Sequence, residues 1–452
     1  MSTEFVNGAS GNPDPGFIAS FPLPAGRTEA APPRKLPRYL PKTPGTQELT
    51  GLPSTMIEDL FLRHVHLKRC NTIGSLSESM ALAYPVVEKV FRELRTHRLL
   101  EVSGMTGDDY IFALTGAGRS AATERCHMCQ YAGPAPVSLN AYQDAMREQK
   151  PQVAINQSSL RLAFGDMVVT DRLLDQLGPA LVAQSSIFLY GPTGTGKTSV
   201  AERLLRVYGD QIVIPYAVEV DNQIIVLFDP AVHERVAIDI EDLDPRWLVC
   251  HRPCVIAGGE LVPSMLDLRL DPASGTYAPP VQMKANGGML VIDDFGRQLI
   301  SPRDLLNRWI VPLDRRIDYL SLNYGVRFDI PFELMIVFAT NLAPSELADE
   351  AFLRRIPNKI LVDSVEREVF DEIFRRVLPK YNLSCDDGSA EYLRKLCTDR
   401  GNNLRPSYPR DMCQIITALK KYEGKPLRIT RGDLDRATEL FFGPLENASE
   451  GD

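Results

Sequence analysis

The run Gly191-Pro192-Thr193-Gly194-Thr195-Gly196-Lys197-Thr198 constrains this chain more than any other feature. Glycines at 191, 194 and 196 free the backbone to turn successive N–H groups inward, a shape that cradles phosphate oxygens. The segment before it, 185–190, reads as a short apolar strand. The segment after it reads as a helix with Val200, Leu204, Leu205 and Val207 apolar. Strand, glycine-rich loop and helix, in that order, form a phosphate-binding unit, and the helix start adds its positive dipole end. All eight residues 191–198 are therefore expected to hold a nucleoside triphosphate. Lys197 would neutralise the β- and γ-phosphates, and the Thr198 hydroxyl would sit on Mg2+.

A site of this kind needs acid near the phosphates. The apolar run Met289-Leu290-Val291-Ile292 ends in Asp293-Asp294. Asp293 is expected to hold Mg2+, directly or through water, and Asp294 to orient and polarise an attacking water. A third apolar run, 334–341, ends in Thr340 and Asn341. A strand-final Asn is often only a turn residue, but in this order Asn341 is expected beside the γ-phosphate.

With these residues in place, the chain resembles the AAA+ ATP hydrolases from residue 161 to about 440. The resemblance implies an α/β fold: a P-loop parallel sheet flanked by helices, with a helical lid. It makes Asn341 a sensor. It also makes Arg354 and Arg355, in the segment 346–360, candidate arginine fingers that reach a neighbouring subunit, although such a pair also compensates a helix C-terminus. In the lid, Arg410 fits the second sensor best and Arg405 is the alternative. Ala285-Asn286-Gly287-Gly288 before the acidic strand, and the alternating runs around Asn323-Tyr324-Gly325, resemble the pre-sensor-1 β-hairpin clade, which includes bacterial enhancer-binding activators and MoxR-type ATPases. The family usually has Glu where this chain has Asp294, one methylene shorter, which bears on the hydrolysis rate. The activators' sigma-gripping loop is absent from 260–283, which points to a different target. The family assembles into rings, so a homo-oligomer, a hexamer by analogy, is implied.

Composition bounds the rest. The chain has 452 residues, 44% of them hydrophobic and 24% charged, with a net charge of −8. An acidic chain is not a nucleic-acid binder over its whole surface. No stretch approaches the roughly 18 apolar residues of a membrane span, so no membrane insertion is expected. The first residues lack a basic start followed by an apolar run, and the eight cysteines have no regular spacing. A cytoplasmic protein is the expectation.

Residues 1–53 hold ten of the 34 prolines and read as a disordered tail; the basic Arg34, Lys35, Arg38 and Lys42 within it suit a solvated linker. Residues 54–125 read as three helices, the second opening at Ser75 with Glu78 as capping partner, and then a hairpin turning at Gly107-Asp108. That plan resembles a winged-helix domain. Residues 126–160 read as a connector, 161–362 as the nucleotide-binding core, 363–445 as the lid and 446–452 as an acidic tail. The third helix carries Lys89, Arg92, Arg95, His97 and Arg98, a face suited to DNA. Residues 55–125 nevertheless balance nine Lys/Arg against nine Asp/Glu, so a protein partner stays open. Cys126/Cys129 has the spacing of half a zinc site, and Cys250/Cys254 with His251 is a second Cys/His cluster with three intervening residues, but the two fall in separate expected domains. Alternation about Asp221-Asn222 predicts a hairpin over 212–230. Three functions remain in view: a ring-forming ATP hydrolase that remodels or regulates a macromolecular target, an ATP-dependent assembly switch or DNA-binding regulator with slow or no turnover, and a protein-assembly chaperone of MoxR type whose winged helix recruits cargo.

Overall fold

The computed structural model describes residues 36–151, 155–238, 240–347 and 350–443. At its centre, β1 (Ile187–Tyr190), β2 (Cys254–Ala257), β3 (Met289–Ile292), β4 (Met335–Thr340) and β5 (Asn358–Leu361) lie in the order β5-β1-β4-β3-β2, all parallel. Side chains alternate faces along a strand, and here both faces are dry. Ile187, Leu189, Val291 and Val337 pack one way against Leu177, Val200 and Leu204. Phe188, Leu290, Ile336 and Phe338 pack the other way against Leu305 and Trp309. Burial on both faces is why β1, β3 and β4 read as unbroken apolar runs.

The helix after the loop, Lys197–Leu204, leads into an inserted β module before β2 begins. Here the expected 212–230 hairpin is corrected. Ala217–Val220 and Gln223–Val226 do pair about Asp221-Asn222, whose φ angles of 50° and 61° fit a tight hairpin turn. Gln211–Pro215, however, pairs antiparallel with Trp247–His251. The chain changes sheets at Tyr216, whose N–H donates to the Arg246 carbonyl at 3.1 Å while its own carbonyl accepts from Leu227 and Phe228. Alternation alone does not say which strand a run pairs with.

The 260–283 segment forms a small hairpin, Arg269–Asp271 with Thr276–Ala278, joined to the 217–226 hairpin in one five-stranded sheet. The hairpin Ile317–Ser321 with Arg327–Pro331 also leans on this module. The Tyr324 hydroxyl at its tip donates to Asp221 Oδ2 at 2.9 Å, and the Asn323 N–H donates to the Tyr277 hydroxyl at 3.1 Å.

The N-terminal helices are Ser54–Arg63, Ile73–Met80 and Tyr84–Thr96, followed by the antiparallel strands Leu100–Thr106 and Asp109–Leu114. Val86, Val87, Val90, Phe91 and Leu94 form the buried stripe of the third helix. The second helix opens two residues before Ser75: Thr72 is its N-cap and Ser75 the reciprocal partner, so Glu78 has no capping role. That start buries Ile73 and Leu76 together. A further helix, Gly116–Met128, runs through the expected boundary at 125, and 126–160 also holds Leu139–Glu148 and part of a sheet.

Residues 36–53 depart most from expectation. Rather than a free tail, they are docked on the β module, and residues 1–35 of the expected tail, with Arg34 and Lys35, lie outside the described residues. The Thr43 N–H donates to Asp242 O at 3.2 Å, the Asp244 N–H to Pro41 O at 2.8 Å, and Tyr39 meets Trp247 edge-on at 5.9 Å. Arg246 fixes the strap. It pairs with Asp244 at 2.8 Å and donates to the carbonyls of Thr50 and Pro136 at 3.2 and 3.1 Å.

The C-terminal helices Arg367–Val377, Ser389–Asp399, Tyr408–Glu423 and Arg431–Phe442 close over a core of their own around Phe370, Phe374, Leu393, Met412 and Leu434. The acidic end expected at 446–452 lies outside the described residues. Among the described residues no helix is long and apolar enough to cross a membrane, and no group of three or more His, Cys, Asp or Glu could hold a metal.

Two histidines are buried. His233 accepts the Asp229 N–H on Nδ1 at 2.9 Å and places Nε2 2.9 Å from the Lys284 carbonyl, which suits a neutral ring. Burial pushes its pKa down to about 4, and burial does the same to His64. A folded-state pKa below the unfolded value of about 6.5 means stability is intact above pH 6.5 and lost as pH falls toward 4. Each ring contributes on the order of 3 kcal/mol to that loss. Denaturant melts between pH 7 and pH 4.5 should show the slope, and His233→Gln should flatten it.

Candidate nucleotide site

The loop 191–198 joins the C-terminal end of β1 to the helix Lys197–Leu204, in the crevice where open parallel sheets bind ligands. Two glycines there are required by geometry. Gly191 has φ of 138°, and a Cβ on it would lie 2.3 Å from the Val362 carbonyl just past β5. Gly194 has φ of 76°, and its Cβ would lie 2.6 Å from Ser407 Oγ. Any side chain at either position would push away β5 or the C-terminal helices. The Thr195 hydroxyl donates to the Pro192 carbonyl at 3.0 Å and braces the turn.

Lys197 is 8% exposed. Its Nζ donates to the carbonyls of Gly191 and Pro192 at 2.9 and 2.7 Å and to Asn341 Oδ1 at 2.7 Å. Burial lowers its pKa, the carboxylates of Asp293 and Asp294 oppose that shift, and Arg405 adds to it. The Thr198 hydroxyl lies 3.0 and 2.9 Å from the two carboxylate oxygens of Asp293. A hydroxyl and a carboxylate side by side at the mouth of a phosphate cradle are the hard oxygen donors that suit Mg2+.

Asp294 adopts the left-handed conformation, φ 47°, which Asp tolerates better than most residues. Its Oδ1 accepts from Asn341 Nδ2 at 3.3 Å. Asn341 at the end of β4 therefore bridges Lys197 and Asp294, across neighbouring strands β1, β4 and β3. The geometry brings Lys197, Thr198, Asp293, Asp294 and Asn341 into one cluster.

The arginines divide differently. Arg410, expected at the site, is exposed and lies 3.5 Å from Asp411. Arg405 instead reaches the loop, donating from Nη1 to Thr193 Oγ1 at 3.0 Å, and the Ser407 N–H donates to the Gly194 carbonyl at 3.1 Å. The turn 404–407 touches the loop, whereas Arg410 sits inside the helix Tyr408–Glu423 on its solvent side. Arg354 is exposed after the short helix Glu350–Leu353, and Arg355 pairs with Asp314 at 2.8 Å.

Sequence reasoning missed Gln298. Its Nε2 donates to the Asp293 carbonyl at 2.7 Å and its Oε1 accepts the Gly296 N–H at 2.8 Å, which pins the turn carrying both aspartates. Nothing local in the sequence marks it. Ser407 was missed for the same reason.

A family described as "Domain of unknown function (DUF8689)" matches residues 366–440, within the C-terminal helices. No curated protein matches the chain. Among solved structures, a RuvB mutant from Thermotoga maritima is 15% identical, covers 61% of this chain and 71% of its own, and superposes with a TM-score of 0.37. The Thermotoga maritima RuvB Holliday junction branch migration motor is 15% identical, with coverages of 65% and 72% and a TM-score of 0.34. NtrX from Brucella abortus in complex with ATP is 16% identical, with coverages of 64% and 60% and a TM-score of 0.40.

Proposed function

We propose that this chain is an AAA+ ATP hydrolase of the pre-sensor-1 hairpin clade. In this reading it binds ATP with Mg2+ on residues 191–198 and works in a ring-shaped homo-oligomer, a hexamer by analogy, to remodel or regulate a macromolecular target in the cytoplasm. The observation that carries the reading is the Lys197–Asn341–Asp294 bridge beside the Thr198–Asp293 pair. Lys197 supplies charge to the β- and γ-phosphates. Thr198 and Asp293 would hold Mg2+, which would neutralise charge developing between those phosphates. Asp294 accepts a proton from an attacking water, and Asn341 positions that carboxylate against the γ-phosphate. Arg405, in place of Arg410, approaches the phosphates from the lid. Arg354 is the better candidate to act on a neighbouring subunit, because Arg355 is engaged by Asp314.

The pre-sensor hairpin then works indirectly. Its tip rests on Asp221 of the β module, so movement at the nucleotide would be passed to that module and to the strap at 36–53. The N-terminal helices and hairpin, read as a winged helix, offer DNA or a protein partner the exposed Arg95, His97 and Arg98. Lys89 and Arg92 are already paired with Glu48 and Glu88, at 2.8 and 2.7 Å.

A second reading, a slow or non-hydrolysing assembly switch, is favoured by Asp294, whose shorter carboxylate is held by Asn341. Steady-state ATPase assays separate the two. For a hydrolase, Asp294→Asn should lower turnover by about 10²-fold or more with ATP still bound, and Arg354→Ala should spare binding while stopping turnover. A negligible wild-type rate that rises in Asp294→Glu would establish the switch instead.

A further inference from the structure

A cleft of about 210 Å³ with mixed polar and apolar walls lies where the N-terminal helices meet the β module, away from the 191–198 loop. Its walls come from the helix Ser54–Arg63, the end of the helix Gly116–Met128, and the tips of the hairpins carrying Asn222 and Gly275. The Gly275 tip is clamped to the helix end. The Gln130 N–H donates to the Ser274 carbonyl at 2.7 Å, and a Cβ on Gly275 would fall 2.3 Å from the Met128 carbonyl.

Arg63 lines this cleft and is only 4% exposed. Its Nε donates to the Asp59 carbonyl at 3.2 Å and its Nη1 to the Cys129 carbonyl at 3.4 Å. Among the described residues, Nη2 has no protein partner and the guanidinium forms no ion pair. The Asp59 carboxylate is taken by Arg125 at 2.6 Å, and Glu124 lies 4.0 Å from the same Arg125. Among the described residues Arg63 itself has no carboxylate within ion-pair distance, and the end of the 116–128 helix offsets only about half a charge. A buried cation without a counter-charge is costly. An arginine in this state is suited to a planar oxyanion, which accepts two parallel N–H bonds. The volume, at about 30 Å³ per water, admits about seven waters or a comparably small organic molecule. Met56 and Met128 provide apolar wall for its body.

We propose that this cleft binds a small organic acid, its carboxylate on Arg63 and its carbon body against Met56 and Met128. The inference stands apart from the nucleotide reading, because no residue of the 191–198 loop contributes to the cleft. Because the N-terminal helices and the β module share the walls, an occupant would tighten the contact between them.

The test uses the full chain carrying Lys197→Ala, so that the phosphate loop cannot bind the probe, with succinate titrated calorimetrically. Saturable binding is expected, weakened at least tenfold by Arg63→Met and also by Met128→Trp, which fills the cleft without touching the guanidinium. Met128 is exposed, so that second variant keeps the test decisive should Arg63→Met fail to fold. Unchanged affinity in Met128→Trp, or no saturable binding of acetate, succinate or citrate up to the order of 10 mM, would overturn the proposal.

Discussion

Lys197→Ala is expected to weaken Mg-ATP binding by about 10²- to 10³-fold, the counterpart of losing about 3–4 kcal/mol when one partner of a desolvated charge pair is removed. The size of the effect follows from where the ammonium sits. It is nearly buried, the loop carbonyls of Gly191 and Pro192 hold it inward, and Asn341 ties it to the acidic strand end. Bound phosphates would find no other cation so enclosed by the loop, since Arg405 comes from the C-terminal helices and donates to Thr193. Without nucleotide the same substitution should barely change the melting temperature, because the buried charge it removes was opposed by desolvation. Calorimetric titration of wild type and variant with ATP and Mg2+ is the measurement. Equal affinities would remove the basis for assigning this loop to nucleotide.

Arg246→Ala should cost the fold about 3–5 kcal/mol of stability. Arg246 and Asp244 are 4% and 2% exposed, and truncating the arginine would leave Asp244 ionised with no counter-charge. The carbonyls of Thr50 and Pro136 would lose their donor in the same step. Urea denaturation should show the loss, and limited proteolysis should show new cleavage within 36–53 as the strap detaches. The double change Arg246→Met with Asp244→Leu should recover much of the stability, because it removes both charges together. If the single variant melts like wild type, the strap is held by its backbone and Tyr39–Trp247 contacts instead.

Most of the cluster around Lys197 was legible before any coordinates. Strand, glycine loop and helix are contiguous, and Asp293, Asp294 and Asn341 each follow an apolar run that could hardly be anything but a buried strand. Such signals survive because the chemistry sits at strand ends and the strands announce themselves by composition. The choice between Arg405 and Arg410 was not legible: it depends on which side of a helix start faces the loop, a matter of a few residues of turn geometry. The second helix start was misplaced for a related reason. Thr72 and Ser75 form a capping pair as good as Ser75 and Glu78, and only the burial of Ile73 decides between them.

The proline-rich strap shows the opposite limit. Its composition reads as solvated chain, yet 36–53 is held by backbone hydrogen bonds to 242–244 and by an arginine about two hundred residues away in sequence. By itself, the sequence determined the phosphate loop, the polar ends of its neighbouring strands and the apolar runs between them, because each depends on residues adjacent in the chain. Only the tertiary structure decided the strand partners, which C-terminal arginine reaches the loop, the docking of the 317–331 hairpin and the absence of an ion pair at Arg63. Those depend on long-range packing and on which buried groups find a partner, and no local pattern encodes either.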